Sequence, residues 1–323
     1  MNGGQPPLLD VKNLNVSFPL EDGTVYAVRD VSFSLEKGKT LGLVGESGCG
    51  KSVTAFSLLR LLSAPGRIDS GSVLYRGRDL LSLSGEEMRR VRGKEIAMIF
   101  QEPMTSLNPV LTIGYQIAES VMLHLGTSKA EARDIALDLL GQVGIPNPAG
   151  RYNSYPHEFS GGMRQRVMIA MALAPQPAVL IADEPTTALD VTIQAQILDL
   201  LLELQASRDM SLILITHDLG IVANLADDIA IMYAGEIVEN GPTADVFEKA
   251  GHPYTRGLFD AIPRMGAAEG RLKTIPGSVP TISSTPKGCP FHPRCYLGSD
   301  ECLAAPVQLR GHDAGHRVRC IRY

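Results

Sequence analysis

The sequence lacks features that are typical of nucleic-acid-binding, membrane-spanning and secreted proteins. Its 323 residues include no tryptophan and only 5% aromatic residues, and its formal net charge is −5. That charge gives no basic surface of the kind used on phosphodiester backbones, which disfavours nucleic acid as the main ligand. No apolar run approaches the roughly 20 residues that span a bilayer. The first seven residues lack the basic and apolar regions of a signal peptide. We therefore expect a soluble, cytoplasmic protein.

What the sequence does contain is a phosphate-binding pattern at residues 40–54. A short apolar run ends in Gly45-x-x-x-x-Gly50-Lys51-Ser52, and an amphipathic segment follows at once. The glycines let the backbone turn so that its N–H groups face an anion at the start of the next helix. The pattern predicts a strand, a loop and a helix that bind a polyphosphate. Lys51 is expected to reach the β- and γ-phosphates and Ser52 to ligate Mg²⁺.

Polar residues follow three further short apolar runs, namely Gln101, the pair Asp183 and Glu184, and His217. Continuous apolar runs are typical of strands buried on both faces, and α/β sheets bind ligands at the carboxyl ends of such strands. We predict that Asp183 holds Mg²⁺, that Glu184 faces the attacking water and that His217 contacts the γ-phosphate. The Gln101 amide oxygen is predicted to contact Mg²⁺ or the water. As an alternative, the two acids could cap the helix predicted over 191–204.

The remaining segments predict the surroundings of this site. Residues 8–18 and 28–35 alternate in polarity, which indicates antiparallel strands ahead of the phosphate loop. Residues 104–175 carry apolar residues at helical spacing and are predicted to form a helical insertion. Near its end, Ser160-Gly-Gly162 opens a helix and could bind an anion or serve as a plain helix cap.

Taken in order, these residues resemble the nucleotide-binding subunit of ATP-binding cassette (ABC) transporters. The resemblance implies an α/β fold: a P-loop NTPase ABC cassette, with a RecA-like core, an antiparallel β subdomain and a helical subdomain at about 104–175. The matching positions are Gly45, Ser47, Gly48, Cys49, Gly50, Lys51, Ser52 and Val53 of Walker A, Gln101 of the Q-loop, 160–165 of the signature, 179–183 of Walker B, the catalytic Glu184, 188–190 of the D-loop including Asp190, and the switch His217.

The resemblance also implies how the cassette works. Two cassettes would enclose ATP between them, with Ser160, Gly161 and Gly162 of one capping the γ-phosphate held by the other. An aromatic ring before the phosphate loop would stack on adenine, and Phe18 aligns best, with Tyr26 as the alternative. The signature departs from the common Leu-Ser-Gly-Gly-Gln, since phenylalanine and methionine replace its first and last residues. This change leaves the Ser-Gly-Gly backbone intact.

The composition shifts after residue 250, which divides the chain into a cassette at 1–250 and a C-terminal extension at 251–323. The His-Pro-Tyr-Thr sequence at 252–255 and Cys-Pro-Phe-His-Pro-Arg-Cys at 289–295 resemble the oligopeptide/dipeptide importer ATPases. That family implies an ATPase that powers peptide uptake. It also implies two permease subunits, an extracytoplasmic peptide-binding protein and a peripheral position on the cytoplasmic face of the membrane. The family usually pairs two different ATPase subunits, and a homodimer is the alternative because every motif of this chain is intact.

Two other functions use similar motifs. Related importers take up nickel or other small solutes, and soluble cassette proteins act in translation or DNA repair. The translation proteins usually carry two cassettes and the repair proteins a long coiled coil, and the sequence contains neither.

Four of the five cysteines lie in the extension, at Cys289, Cys295, Cys302 and Cys320. Their spacing lacks the Cys-x-x-Cys pairs of zinc ribbons, and four thiolates suffice for an iron–sulfur cluster. Zinc remains the main alternative because three histidines, at 292, 312 and 316, lie among them, and unligated thiols are a further one. The resemblance to peptide importers, not the spacing, favours a [4Fe-4S] cluster. We therefore expect a small metal-binding extension with a structural cluster, in addition to ATP and Mg²⁺.

Overall fold

The computed structural model describes residues 6–21, 23–102, 106–187, 189–262, 274–280, 287–311 and 315–323. Its strands are β1 Leu9–Leu20, β2 Gly23–Leu35, β3 Thr40–Val44, β4 Arg67–Tyr75, β5 Arg78–Asp79, β6 Ile96–Ile99, β7 Val179–Asp183, β8 Ser211–Thr216, β9 Asp228–Tyr233, β10 Glu236–Pro242, β11 Arg310–Gly311 and β12 Arg317–Val318.

The α-helices are α1 Lys51–Leu58, α2 Gly85–Val91, α3 Ile113–Leu125, α4 Lys129–Gln142, α5 Pro148–Arg151, α6 Gly161–Leu173, α7 Val191–Arg208, α8 Leu219–Leu225, α9 Thr243–Glu248, α10 Pro253–Asp260 and α11 Glu301–Ala304. Single 3₁₀ turns lie at Leu80–Ser82, Pro156–Glu158 and His292–Arg294. Within the described ranges, every helix is too short or too polar to cross a membrane.

The chain divides into two compact units. The first comprises residues 1–82 and 214–323, and the second comprises residues 83–213. Strand β8 lies across this division, since the second unit ends at Ile213. The phosphate loop and the C-terminal extension belong to the first unit, and the predicted helical insertion belongs to the second.

An antiparallel sheet of the first unit has the strand order β2-β1-β4-β5. Leu9 of β1 faces Leu35 on one side and Tyr75 on the other, and the strand pairs with both neighbours in antiparallel register. The antiparallel strands predicted ahead of the phosphate loop are confirmed. They are longer than the alternating pattern indicated because the β1–β2 hairpin extends pairing to Leu20 and Gly23.

The first unit also carries the strand that leads into the phosphate loop. All five residues of β3 are buried, as a strand covered on both faces requires, and β3 pairs with β9 in parallel. Strand β9 returns as β10 through Ala234 and Gly235, whose φ angles are +46° and +87°. Two residues with positive φ form the kind of tight turn whose twist matches a hairpin. Strands β9 and β10 therefore form a hairpin.

The extension is attached to this unit through a buried glutamate. Glu239 of β10 lies opposite Val318 of β12, and its side chain is fully buried. Its carboxylate accepts hydrogen bonds from the backbone N–H groups of Gly251 (2.6 Å) and His252 (2.8 Å) and lies 2.8 Å from Nε2 of His316. Because a buried carboxylate is costly without partners, these three contacts fix both ends of the extension to β10.

The extension shares its apolar core with the cassette. The Tyr233 ring of β9 packs against the Tyr254 ring of α10 and the Phe291 ring, with centroids 4.6 and 5.2 Å away. All three rings are buried, and the same cluster contains Val44 at the end of β3. A metal centre is therefore not needed to give the extension a core, although the sequence has too few apolar residues there for an independent one.

The second unit combines a parallel strand pair with helices. Strands β6 and β7 run parallel, with Ile96 opposite Val179. Hydroxyl side chains begin three of its helices, since Thr112, Ser128 and Ser160 each accept a backbone N–H of the first turn of α3, α4 and α6. The helices predicted from the apolar spacing within residues 104–175 are present, and the capping residues explain where they start.

Candidate functional site

The phosphate loop has the backbone that a polyphosphate site requires. Gly48 and Gly50 adopt φ angles of +78° and +104°, a region that favours glycine, and Gly50 is the N-cap of α1. A Cβ atom on Gly45 would collide with the carbonyl oxygen of Met232. The loop is therefore wound tightly before the helix, with Ser47 and Gly48 exposed at its tip.

Lys51 lies inside the curve of this loop. Its side chain is buried, with 5% exposure, and Nζ donates hydrogen bonds to the carbonyl oxygens of Gly45 (2.8 Å) and Glu46 (3.1 Å). An ammonium held on loop carbonyls carries the positive charge that a phosphate would meet. Ser52 and Val53 follow in the first turn of α1 and are half-buried.

Cys49 is a packing residue of the loop. Its side chain is fully buried, and burial raises the pKa of the thiol despite the nearby Lys51 ammonium. A protonated, inaccessible thiol is a poor nucleophile. Cys49 can therefore contact phosphate only through its backbone.

The predicted carboxylates lie at the end of β7 in the second unit. Asp183 is the last strand residue and is 2% exposed, whereas Glu184 is half-buried and has φ of +45°. The two acids were predicted to have different roles. Their environments differ because the strand stops at Asp183 and Glu184 adopts a left-handed conformation, which is uncommon for a residue with a side chain and frequent at functional sites.

Two hydrogen bonds hold the Glu184 carboxylate. Gln101 donates from Nε2 and Thr187 from Oγ1, both to Oε2 at 2.9 Å. The structure thus brings together Gln101 and Glu184, which are 83 positions apart. The sequence prediction missed Thr187. Its position gave a signal, because a turn can bring a hydroxyl three residues after a glutamate back to that carboxylate.

The signature segment begins α6 as predicted. The hydroxyl of Ser160 accepts the backbone N–H of Met163 at 3.4 Å, so Ser160 is the N-cap. The two glycines differ: a Cβ atom on Gly162 would lie 2.8 Å from Cγ2 of Ile193, whereas one on Gly161 would approach Leu189 no closer than 3.6 Å. Gly162 therefore leaves no room for a Cβ atom beside Ile193, whereas a Cβ atom on Gly161 would make an ordinary van der Waals contact.

Asp190 and His217 follow the ends of other segments. The carboxylate of Asp190 accepts the N–H of Ile193 at 3.0 Å and caps α7. The alternative in which Asp183 or Glu184 caps this helix is therefore wrong. His217 is exposed in the first unit, just before Asp218, the N-cap of α8. Residue 188 of the predicted D-loop lies outside the described residues.

The two aromatic candidates for adenine stacking lie on neighbouring strands. Phe18 of β1 is half-buried, and a Cβ atom on Gly66 would lie 2.5 Å from its ring. Tyr26 of β2 is 49% exposed. The Phe18 ring therefore packs against the backbone at Gly66 and is partly accessible, whereas the Tyr26 side chain is more exposed. Stacking by either ring stays a prediction.

The four cysteines of the extension lie around one small cavity. Cys289, Cys295, Cys302 and Cys320 line it together with His252 and His292, and its volume is about 20 Å³. Burial raises the thiol pKa of Cys289 to about 11 and raises that of Cys295 and of Cys320. In the described part of the chain, no three such side chains are arranged to hold a metal ion.

The histidines considered as zinc ligands are placed differently from one another. His316 is buried against Glu239 at 2.8 Å and is not among the residues that line the cysteine cavity, so the structure does not place it beside the thiols. His292 lines the cysteine cavity. His312 lies outside the described residues.

Comparisons with known proteins show which family this chain resembles. Residues 28–187 match the family model described as ABC transporter, and residues 238–302 match the one described as oligopeptide/dipeptide transporter, C-terminal region. OppD of Haemophilus influenzae, an oligopeptide transport ATP-binding protein, is 52% identical over 300 residues that cover 93% of each chain.

Solved structures give the same fold. The ATP-binding cassette MJ0796, in a dimeric post-hydrolysis state bound to ADP and Pi, superposes with a TM-score of 0.66 at 26% identity over 73% of this chain and 98% of that one. For cbiO1 of Clostridium perfringens, part of the cbiONQ transporter complex, the TM-score is 0.65 at 26% identity over 76% and 92%.

The fold and the site thus define an ABC ATPase cassette, whose activity is ATP hydrolysis coupled to transport and whose ligands are ATP and Mg²⁺. Within that class, the chain belongs to the ABC transporter ATP-binding proteins that carry the oligopeptide/dipeptide transporter C-terminal region. The predicted cassette fold is confirmed.

Proposed function

We propose that the chain powers the import of di- and oligopeptides across the cytoplasmic membrane. The observation that carries this proposal is the extension. It matches the oligopeptide/dipeptide transporter region, and its Tyr254 and Phe291 pack into the cassette core, so it is an integral part of this ATPase. We propose a division near residue 250, with the helical subdomain at about 104–175, and a peripheral position on the cytoplasmic face.

We propose the following roles for the nucleotide-binding residues. Lys51 and the loop N–H groups bind the β- and γ-phosphates, with adenine stacked on Phe18 or Tyr26. The Ser52 hydroxyl and the Asp183 carboxylate are oxygen donors of the kind that Mg²⁺ prefers, and the ion would offset phosphate charge. Further binding contacts come from the Walker A positions and the signature, namely Gly45, Ser47, Gly48, Cys49, Gly50, Val53, Ser160, Gly161, Gly162 and Asp190.

The hydrolytic step depends on Glu184. Its carboxylate accepts a proton from the attacking water, and the hydrogen bonds from Gln101 and Thr187 fix its direction. Gln101 keeps its amide oxygen for water or Mg²⁺ while its nitrogen holds Glu184. His217 steadies the γ-phosphate.

The family works through permease subunits and paired cassettes. We propose a different ATPase subunit as the second cassette, two permease subunits and an extracytoplasmic peptide-binding protein. Large apolar side chains on the second unit supply a docking surface for the permease: Val110 is 75% and Leu123 is 73% exposed.

We propose that Cys289, Cys295, Cys302 and Cys320 hold a [4Fe-4S] cluster, with zinc as the alternative. The support is the donor set, since four thiols line one cavity. Burial raises the thiol pKa values of Cys289, Cys295 and Cys320, which disfavours their thiolates unless a cation is bound. The cluster would supply a structural crosslink between residues 289 and 320.

The transport proposal is tested in proteoliposomes that contain the chain with candidate permease subunits and a candidate peptide-binding protein. Labelled di- and oligopeptides and radiolabelled nickel are offered in turn, with and without ATP. We expect ATP-dependent uptake of peptides, and Glu184→Gln as a control should abolish it. Uptake of nickel without peptide uptake would contradict the proposal.

A further inference from the structure

Glu46 lies inside the phosphate loop and is held by residues of the extension. Its backbone N–H donates to the hydroxyl oxygen of Tyr254 at 3.1 Å. Its carboxylate oxygens lie 3.1 and 3.2 Å from Nη1 of Arg294, and its carbonyl oxygen accepts a hydrogen bond from Nζ of Lys51 at 3.1 Å. One loop residue is thus fixed at three points, two of which come from residues more than 200 positions away.

Arg294 is itself firmly held. Its side chain is 6% exposed, and the guanidinium donates to the carbonyl oxygens of Pro276 (2.9 Å) and Ile275 (3.4 Å) and to the hydroxyl of Tyr233 (3.4 Å). It also lies against the Phe291 ring, at 6.0 Å from the centroid. An arginine held in this way presents its charge in one direction, toward Glu46.

Tyr254 is equally constrained. Its ring is fully buried, 5.4 Å from that of Phe291, and burial raises the pKa of its hydroxyl. The hydroxyl therefore stays neutral and does not add a second negative charge beside Glu46.

The charge of Glu46 is unfavourable where it lies. The loop binds a polyphosphate through its N–H groups and Lys51, and a nearby carboxylate repels that anion. Arg294 offsets the carboxylate charge, and Tyr254 keeps the Glu46 backbone in the curve of the loop.

We propose that Arg294 and Tyr254 are positioning residues for ATP binding, through which the extension neutralises and orders the phosphate loop. Neither residue touches the nucleotide in this proposal. Both act through Glu46, which makes the extension a part of the nucleotide site in addition to its place in the core.

The proposal is tested by ATP affinity of the full chain, measured without hydrolysis. Arg294→Gln leaves the Glu46 charge without its partner and is expected to weaken ATP binding about tenfold, the effect of one charge pair at intermediate screening. The loss of affinity should be smaller for AMP than for ATP, and smaller at high salt than at low salt. The double variant Arg294→Gln with Glu46→Gln should recover to within about threefold of wild type, because the repelling charge is gone.

Two further variants separate this role from general damage to the fold. Arg322→Gln breaks the exposed ion pair of another extension arginine with Glu301 and should bind ATP as wild type does. Tyr254→Phe keeps the ring, removes the acceptor for the Glu46 N–H, and should weaken ATP binding about threefold with little change in melting temperature. Unchanged affinity in Arg294→Gln, or a loss that Glu46→Gln does not reverse, would overturn the proposal. Should Arg294→Gln fail to fold, wild-type affinity in Tyr254→Phe would overturn it.

Discussion

Gln101 and Glu184 are joined side chain to side chain, with the amide nitrogen of Gln101 2.9 Å from Oε2 of Glu184. The contact links the loop after β6 to the end of β7. It places an amide dipole on the carboxylate that we propose as general base. A base whose direction is fixed before substrate arrives needs less reorganisation in the reaction.

Glu184→Gln should keep ATP affinity while losing turnover. The amide retains the size of the carboxylate but cannot accept the proton of water, and loss of a general base typically costs about 10² to 10⁴ in rate. Nucleotide affinity and single-turnover hydrolysis on the purified transporter check this expectation. Hydrolysis near the wild-type rate would remove Glu184 from the mechanism.

Thr187→Val tests whether the orientation of Glu184 matters. The substitution removes the hydroxyl that donates to Oε2 and keeps the shape, so we expect kcat to fall about tenfold with ATP affinity unchanged. Thr187→Ser, which keeps the hydroxyl, is the matched control and should hydrolyse ATP at close to the normal rate. Equal rates in the valine and serine variants would show that the contact has no catalytic effect.

The local elements could be predicted from the sequence, and the contacts between them could not. The continuous apolar run before Asp183 and the hydroxyl of Ser160 each determine structure through neighbours a few residues away. The partners of Glu184 and Glu46 depend on which loops meet, as in the approach of Arg294 to Glu46 over 248 positions. No local spacing encodes that approach. The left-handed backbone conformation of Glu184 could not be predicted from the sequence either. Residues other than glycine adopt this conformation only when the surrounding packing imposes it.

The two glycines of the signature should respond differently to alanine. Gly162→Ala places a methyl group 2.8 Å from Cγ2 of Ile193, so we expect a loss of about 1 to 3 kcal/mol in the free energy of unfolding. Gly161→Ala meets nothing closer than 3.6 Å and should fold normally. If Gly161 caps the partner's γ-phosphate as proposed, this variant should still lose most ATPase activity. Thermal unfolding and hydrolysis rates distinguish the two effects, and normal activity in Gly161→Ala would count against the proposed cap.

The chain alone should be a weak ATPase. The signature of one cassette is proposed to complete the site of another, so hydrolysis requires pairing, and the partner is proposed to be a different cassette. Rates should rise from the isolated chain to the complex with permease, and be highest with permease and the second cassette together. A rate that is the same in all three preparations would contradict this dependence.

The metal content of the extension discriminates between its possible ligands. Chain purified without oxygen should be brown and contain iron and acid-labile sulfide in about equal amounts, because four thiolates suffice to hold a cluster of this kind. Cys302→Ser should bleach it, since Cys302 lines the cavity with the other three thiols. Cys49→Ser is the matched control, because that buried thiol belongs to the phosphate loop and its loss should leave iron content unchanged. Colourless protein with one zinc per chain would establish zinc in place of the cluster, and metal-free protein whose four extension cysteines all titrate as free thiols would exclude both.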